Sequence, residues 1–599
     1  MTCRPDLRLI LAAAAILALV PPVAAAPGAD TLAEAAAAID RGDGIAAEVA
    51  AERALEAGLA REQIAAFAGE AQLLQDNLVE ARSWLGPGRF AAGSAQRGFH
   101  ALARLEMAEG NGMAAAGAFD QALAQGPGNA PLWVDIGRFR YAVGQHDLAL
   151  AAAEHAVAID PADPRALVFR GQLARDALGV RAALPWFERA LEKAPGDMEL
   201  LGEYAATLGE AGENREMLRI ARNMVERDSR HPRAYFLQAV LAARAGNDDL
   251  ARRLLWRTDG AYDEVPAGLL LSGVLHLRAG NAALAVEEFD LLVRQQPDNQ
   301  RVALLLGRAL LAAGDATELL ARLEPAAARP EASPYLLTLV GRAYEQTGQR
   351  AKAAPYLDRA SAAAKAGVAV LPVGAAGELA IWRAGSELGG AGAAVPQLRQ
   401  MLAQGQAGAA LALGARLGEQ FRGSADVERL RGDVALLAGN AQAALASYTR
   451  AAAIRRDLAL VERMIAAQQR LGRREAALAL LANHVRQNPR DGRALAMLGR
   501  MQADRGRWEQ AAALLGRARQ LGAGPGDPLL LADLAVAELA AGDAAAAGDA
   551  ARRAYALQRG NGRVAAVLAR TLPAAEPRQA DVLLAKARQL SGSPLLASR

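Results

Sequence analysis

The chain has 599 residues, 52% hydrophobic and 22% charged, a balance that excludes both a disordered polar chain and a many-span membrane protein. Lys and Arg total 68 against 65 Asp and Glu, a net charge of +3, too near balance for a protein that wraps nucleic acid. Aromatic residues make up only 4%, which argues against stacking platforms, and Cys3 is the single cysteine, which excludes a disulfide framework, a Cys-ligated zinc and an iron–sulfur cluster.

The first element, residues 1–25, reads as a signal peptide. Arg4 and Arg8 give a positive start, and Leu9 to Val20 is an unbroken apolar run of twelve residues. Pro21 and Pro22 end it, and Val23, Ala24 and Ala25 offer the small residues of a cleavage site. Cleavage after Ala25 is preferred, because cutting after Ala26 leaves Pro27 directly behind the cut. The alternative is an uncleaved anchor, although twelve residues fall short of the roughly 20 that a spanning helix needs. Cys3 stands before the apolar run, where a lipoprotein would need it at the end. Export from a Gram-negative cell would make the mature chain periplasmic, with no transmembrane segment after cleavage.

From residue 28 to 367 the chain repeats itself with a period of about 34 residues. Ala35, Gly69, Ala103, Gly137, Gly171, Ala205, Ala239, Gly273, Gly307 and Gly341 are all small. Seven residues later comes a second series, Gly42, Asp76, Gly110, Gly144, Leu178, Gly212, Gly246, Gly280, Gly314 and Gly348. A third series is Ala47, Ala81, Ala115, Ala149, Ala183, Met217, Ala251, Ala285, Leu319 and Ala353. Each unit is then expected to hold two antiparallel helices of about 13 residues, helix A and helix B. The first small residue would let a neighbouring backbone approach helix A. The second would end helix A in the left-handed region. The alanine would lie in helix B where the two helices cross. Phe119, Phe187 and Phe289 would fill the space between units, and Pro127, Pro161, Pro195 and Pro297 would end helix B.

Trp133, Ile136, Gly137, Gly144, Ala149, Ala156 and Pro161 resemble the tetratricopeptide repeat in order and spacing, and Gly171, Ala183, Phe187, Ala190 and Pro195 repeat the match. The resemblance covers nearly the whole mature chain. It implies an all-α, right-handed superhelical solenoid of antiparallel helix hairpins. Residues 28–367 form an array of about ten repeats. Residues 368–423, with Trp382, Gly389, Gly390, Gly392, Gly405 and Gly408, lose the spacing and read as degenerate helical hairpins, or alternatively as a mobile linker or hinge. Residues 424–560 resume as a second array of about four repeats, and 561–599 read as a C-terminal capping hairpin.

Chemistry-bearing motifs are absent from the sequence. The six histidines form no HxxxH or HExxH pair, and no phosphate-binding glycine loop or nucleophile elbow occurs. His146 and His155, nine residues apart, are expected on different helices of one hairpin. No enzyme, cofactor or metal site is therefore expected.

Function is left to surfaces. In the tetratricopeptide family recognition commonly uses the concave face lined by helix A. Carried onto this chain, that face holds Arg138, Tyr141, Arg244, Arg278, Arg308 and Arg342, with Val134, Phe236, Leu270 and Leu304 as apolar neighbours. Such a row suits an acidic or amphipathic partner, or merely solvates a helix face. Residues 451–500 form a second basic stretch, with ten Arg including Arg455, Arg456, Arg463, Arg470, Arg473 and Arg474. The layout is similar to exported tetratricopeptide proteins of exosortase-linked exopolysaccharide systems. That resemblance implies a non-enzymatic scaffold with protein partners in the cell envelope. Two alternatives remain open: a direct binder of anionic polysaccharide, and a chaperone for outer-membrane proteins.

Overall fold

The computed structural model describes residues 29–297, 299–329, 332–362, 371, 394–522, 527–573 and 576–591. The expected signal peptide, Trp382 and Gly389 to Gly392 lie outside the described residues. Among the described residues there are thirty-two helices and no strand, so the chain is an all-α repeat solenoid. The chain divides into two compact units, one ending at Gly128 and the other beginning at Asn129.

The first unit contains three hairpins, from Ala29–Asp40 with Gly44–Glu56 to Ala95–Ala108 with Gly112–Ala124. Its core is small: Ala47, Ala81 and Ala115 are fully buried, and Leu85, Leu105 and Phe119 supply the bulk. The second unit begins with seven hairpins, Ala130–Ala142 with His146–Ile159 through Pro334–Gln346 with Arg350–Ala362. Six more run from Ala394–Ala403 with Ala407–Gln420 to Gly562–Thr571 with Pro577–Ser591. The seven hairpins form the first array of this unit and the six form its second. Gly405 turns the hairpin that opens the second array, one full repeat ahead of Gly439, and both have positive φ, 73° and 84°.

The repeat spacing has a packing cause at every step. All eight glycines of the second series have φ between 76° and 87°, the left-handed turn after helix A. All ten residues of the third series are buried, Met217 and Leu319 included. Where Met217 replaces alanine, its sulfur lies where a Cβ on Gly209 would have to stand.

The first series meets the expectation only in part. What stands nearest to those glycines is a side chain, Phe169 of the next hairpin at Gly137, while a helix B backbone carbonyl comes within 3.6 Å of the Cβ position at Gly137, Gly341 and Gly499. A Cβ on Gly69, Gly171, Gly273, Gly307, Gly341, Gly432 or Gly499 would crowd the side chain sixteen residues later: Leu85, Phe187, Phe289, Leu323, Leu357, Tyr448 or Leu515. A bulky helix B residue plugs a notch in helix A of its own hairpin, which brings the helices together at interior density. Phe187 and Phe289 plug notches in this way and also join core clusters that continue into the next hairpin.

A fourth series, not read from the sequence, starts helix A. Asn129, Asp163, Asp197, Asn299 and Ser333 stand whole repeats apart from one another. Their side chains accept the backbone N–H of Leu132, Ala166, Leu200, Arg301 and Leu336. Such caps contribute about 1 kcal/mol each.

Candidate partner-binding site

Within the second unit the second array meets the first along a line of backbone contacts. Its origin is a break in the glycine series. The left-handed turn is costly for Leu178, and the helix Pro164–Leu178 runs one residue further, so that Gly179 turns the chain at φ 113° and ψ 173°. That backbone is open only to glycine and leaves polar groups outward. The second array takes them. The Arg456 N–H donates to the Asp176 carbonyl at 2.8 Å and its guanidinium to the Leu178 carbonyl at 3.0 Å. The Val180 N–H donates to Asn488 Oδ1 at 3.2 Å. Nearby, the Ala425 N–H donates to His146 Nδ1 at 3.1 Å. At the far end, Arg342 donates to the Leu557 carbonyl at 2.5 Å.

His146 and His155 lie on one helix, His146–Ile159, and not on two as expected, because the turn at Gly144 already ends helix A. His146 packs edge-on to Tyr141 and His155 edge-on to Trp133. Burial lowers the His146 imidazole below its ordinary value, with Arg455 acting in the same direction against Asp426, Asp147 and Asp176.

The six expected helix A residues are not gathered at one place. Tyr141 donates to Asp176 Oδ2 at 2.5 Å beside the line of contact, and Arg342 is used there by the chain itself. Arg244 and Arg278 act between repeats: each donates to a carbonyl 35 residues earlier, Gly209 at 3.0 Å and Ala243 at 2.8 Å. These carbonyls lie in the last turn of the preceding helix A, where a cation is favoured. Desolvation lowers the Arg244 guanidinium to about 10, and Arg490 of the second array adds repulsion. Arg138 is exposed and lies over the Phe169 ring, 5.8 Å from its centroid. Arg308 is exposed and makes no hydrogen bond or ion pair among the described residues.

The second basic stretch is largely committed inside the chain. Arg455 pairs with Asp426, Arg463 with Asp433, and Arg470 donates to the Leu436 carbonyl. Asp433 also accepts from the Tyr448 hydroxyl at 2.8 Å and the Leu371 N–H at 2.8 Å.

Arg308 faces a cavity of about 1320 Å³ between the two arrays. Arg301, Leu304, Leu305, Arg308, Pro334 and Tyr335 line it from the first array. Arg500, Trp508, Leu529, Asp533, Val536 and Arg563 line it from the second. Asp533 is held by Arg500 and Arg563. Burial pushes the Tyr335 phenol up, against the pull of Arg308, so it remains a hydrogen-bond donor. Sequence reasoning named Arg308 and Leu304 and missed the rest. Arg301 lies seven residues before Arg308, two turns along the same helix face, and that spacing was available as a signal. The second-array residues had none, since only folding brings them near.

Among the described residues no group of three or more His, Cys, Asp or Glu is placed to hold a metal ion. No helix among them is long and apolar enough to cross a membrane.

Tetratricopeptide-repeat family profiles match residues 106–173, 270–318 and 465–528. The chain carries tetratricopeptide repeats. Tetratricopeptide repeats point to a protein–protein interaction scaffold. Solved structures that this tetratricopeptide chain resembles include the APC/C hetero-tetramer Cut9–Hcn1, at 14% identity over 95% of this chain and 94% of that chain, with a TM-score of 0.36. A tetratricopeptide repeat protein from Parabacteroides merdae aligns at 17% identity over 39% of this chain and 92% of its own, TM-score 0.29. PilW, a type IV pilus biogenesis factor, aligns at 19% identity over 35% of this chain and 98% of its own, TM-score 0.31. No curated protein matches the chain.

Proposed function

We propose that this chain is an exported, non-catalytic scaffold that holds protein partners in a cell-envelope assembly serving exopolysaccharide synthesis or export. The export part rests on the charged start, apolar run and small-residue site of residues 1–25. The exopolysaccharide setting rests on the layout of two repeat arrays behind such a signal. One observation carries the scaffold reading. Arg138 and Arg308 stay exposed on helix A with no hydrogen bond or ion pair from their side chains among the described residues, while Tyr141, Arg244, Arg278 and Arg342 are spent on the chain's own fold. Exposed guanidinium groups beside Leu304 and Leu305 suit a partner surface that is both charged and apolar.

The test is photo-crosslinking in the cell of origin from residues 138 and 308, followed by cell fractionation. The expected result is one or a few envelope proteins joined at these positions and the chain recovered outside the cytoplasm. Absence of any protein adduct overturns the scaffold reading, and a cytoplasmic chain overturns export. Neighbouring glycosyltransferase genes would support the exopolysaccharide setting, and their absence would remove it.

A further inference from the structure

The cavity between the two arrays carries a more specific statement about the partner, one that rests on the scaffold reading. Of its charged lining, Asp533 is committed to Arg500 and Arg563, and Asp527 accepts the Leu529 and Leu530 N–H groups as a helix cap. Arg301 and Arg308 remain without a hydrogen bond or ion pair from their side chains among the described residues, against one uncommitted carboxylate, Asp504. Their Cα atoms are seven residues apart on the helix Gln300–Ala313, about 10 Å along its axis. Leu304 and Leu305 lie between them, and Leu529, Val536, Pro334 and Trp508 extend the apolar wall.

Two exposed guanidinium forks without a hydrogen-bond partner among the described residues, Arg301 sensing only the charge of Asp491, suit two carboxylates. The apolar wall between them asks for an apolar side chain. An acidic sugar polymer offers carboxylates but no apolar group, and its hydroxyls would face leucine and valine without partners. An extended peptide meets both. In a polyproline II strand, residues three apart return to the same side at a spacing of about 9 Å.

We propose that the cavity binds an extended segment of a protein partner that carries two acidic residues three positions apart with an apolar residue between them. Arg301 and Arg308 each take one carboxylate. The apolar residue between the two acidic ones points about 120° away from the arginines, toward Leu529, Val536 and Trp508 of the second array, while the segment's backbone passes over Leu304 and Leu305 with the Tyr335 hydroxyl available to it. The segment touches both arrays, so binding also holds them together.

The test is a panel of immobilised ten-residue peptides built from Glu, Leu, Ser and Lys in every spacing, probed with the full chain. Peptides with Glu at i and i+3 and Leu between are expected to be retained at least about tenfold over their Lys counterparts. Arg308→Gln and Arg301→Gln are each expected to weaken that retention about tenfold. Arg301→Lys with Arg308→Lys keeps the charge and loses the forks, and is expected to fall between. Unchanged helical circular dichroism checks that each variant is folded. Equal retention of acidic and neutral peptides, or retention unchanged in Arg308→Gln, overturns the assignment. Binding of polygalacturonate with no binding of acidic peptides also overturns it and assigns the cavity to an anionic polysaccharide. Protein adducts at residue 138 with a blank panel would leave the scaffold standing and remove only the cavity ligand.

Discussion

Gly273→Ala is the most direct test of the notch that joins each hairpin. A Cβ at this position would stand 2.6, 2.8 and 2.9 Å from three ring carbons of Phe289, a fully buried side chain. A rigid ring cannot yield as a flexible chain end would. Overpacking of this size costs about 1–3 kcal/mol. Alanine in place of glycine inside a helix returns about 1 kcal/mol. The expected net loss therefore ranges up to about 2 kcal/mol. Phe289→Ala alone should cost about 3–5 kcal/mol. In that background the clash is gone and only the helix gain remains, so Gly273→Ala should then stabilise by about 1 kcal/mol. The difference between the two backgrounds, about 1–3 kcal/mol, isolates the ring contact. Native-state hydrogen exchange of Pro266–Gln295 amides is the suitable assay, because a repeat stack opens locally. The same effect of Gly273→Ala in both backgrounds would refute the notch.

Arg463→Met should destabilise the second array by about 3–5 kcal/mol in urea unfolding, because it leaves the 1% exposed Asp433 without its buried counter-charge. His146 is kept neutral by burial, so the unfolded chain takes up its proton first. Its contribution is complete above the ordinary value near 6.5 and is lost as the pH falls through that value toward the lowered one. Exchange of the Ala425 amide, corrected for its intrinsic rate, should therefore quicken between pH 7 and pH 5, and His146→Asn should abolish that trend. Gly179→Ala forces a Cβ into a glycine-only backbone and to within 2.7 Å of Gln487. Spin labels at residues 192 and 479 should show a broader distance distribution in this variant, and an unchanged distribution would remove Gly179 from the contact between arrays.

How far the sequence reaches depends on whether a feature is local. The turn glycines and the buried alanines were legible because each recurs in the same local setting once per repeat. The role of the first small residue was legible only in part, because spacing shows that room is needed, not that a side chain fills most of it. The partner residue sits sixteen positions on, at a site that is Phe, Leu or Tyr by turns and so carries no single-letter signal. His146 and His155 were separated wrongly because the turn at Gly144 falls just before both. Of the helix A row, Arg308 was placed usefully. Arg342 was not, since its acceptor, the Leu557 carbonyl, is 215 residues away and invisible to any periodic reading. The same holds for the basic stretch from Arg455, whose acidic and carbonyl partners come from other helices.

The hydrogen bond between Val180 and Asn488 spans 308 residues of chain. Neighbouring hairpins can assemble quickly from short loops, but this bond waits until everything between has been made and brought round. The joint between the arrays is therefore expected to form after the hairpins it joins. A chain cut short before Ala425 would keep a well-formed first stack while leaving His146, Leu178 and Arg342 bare, competing for whatever normally meets that surface.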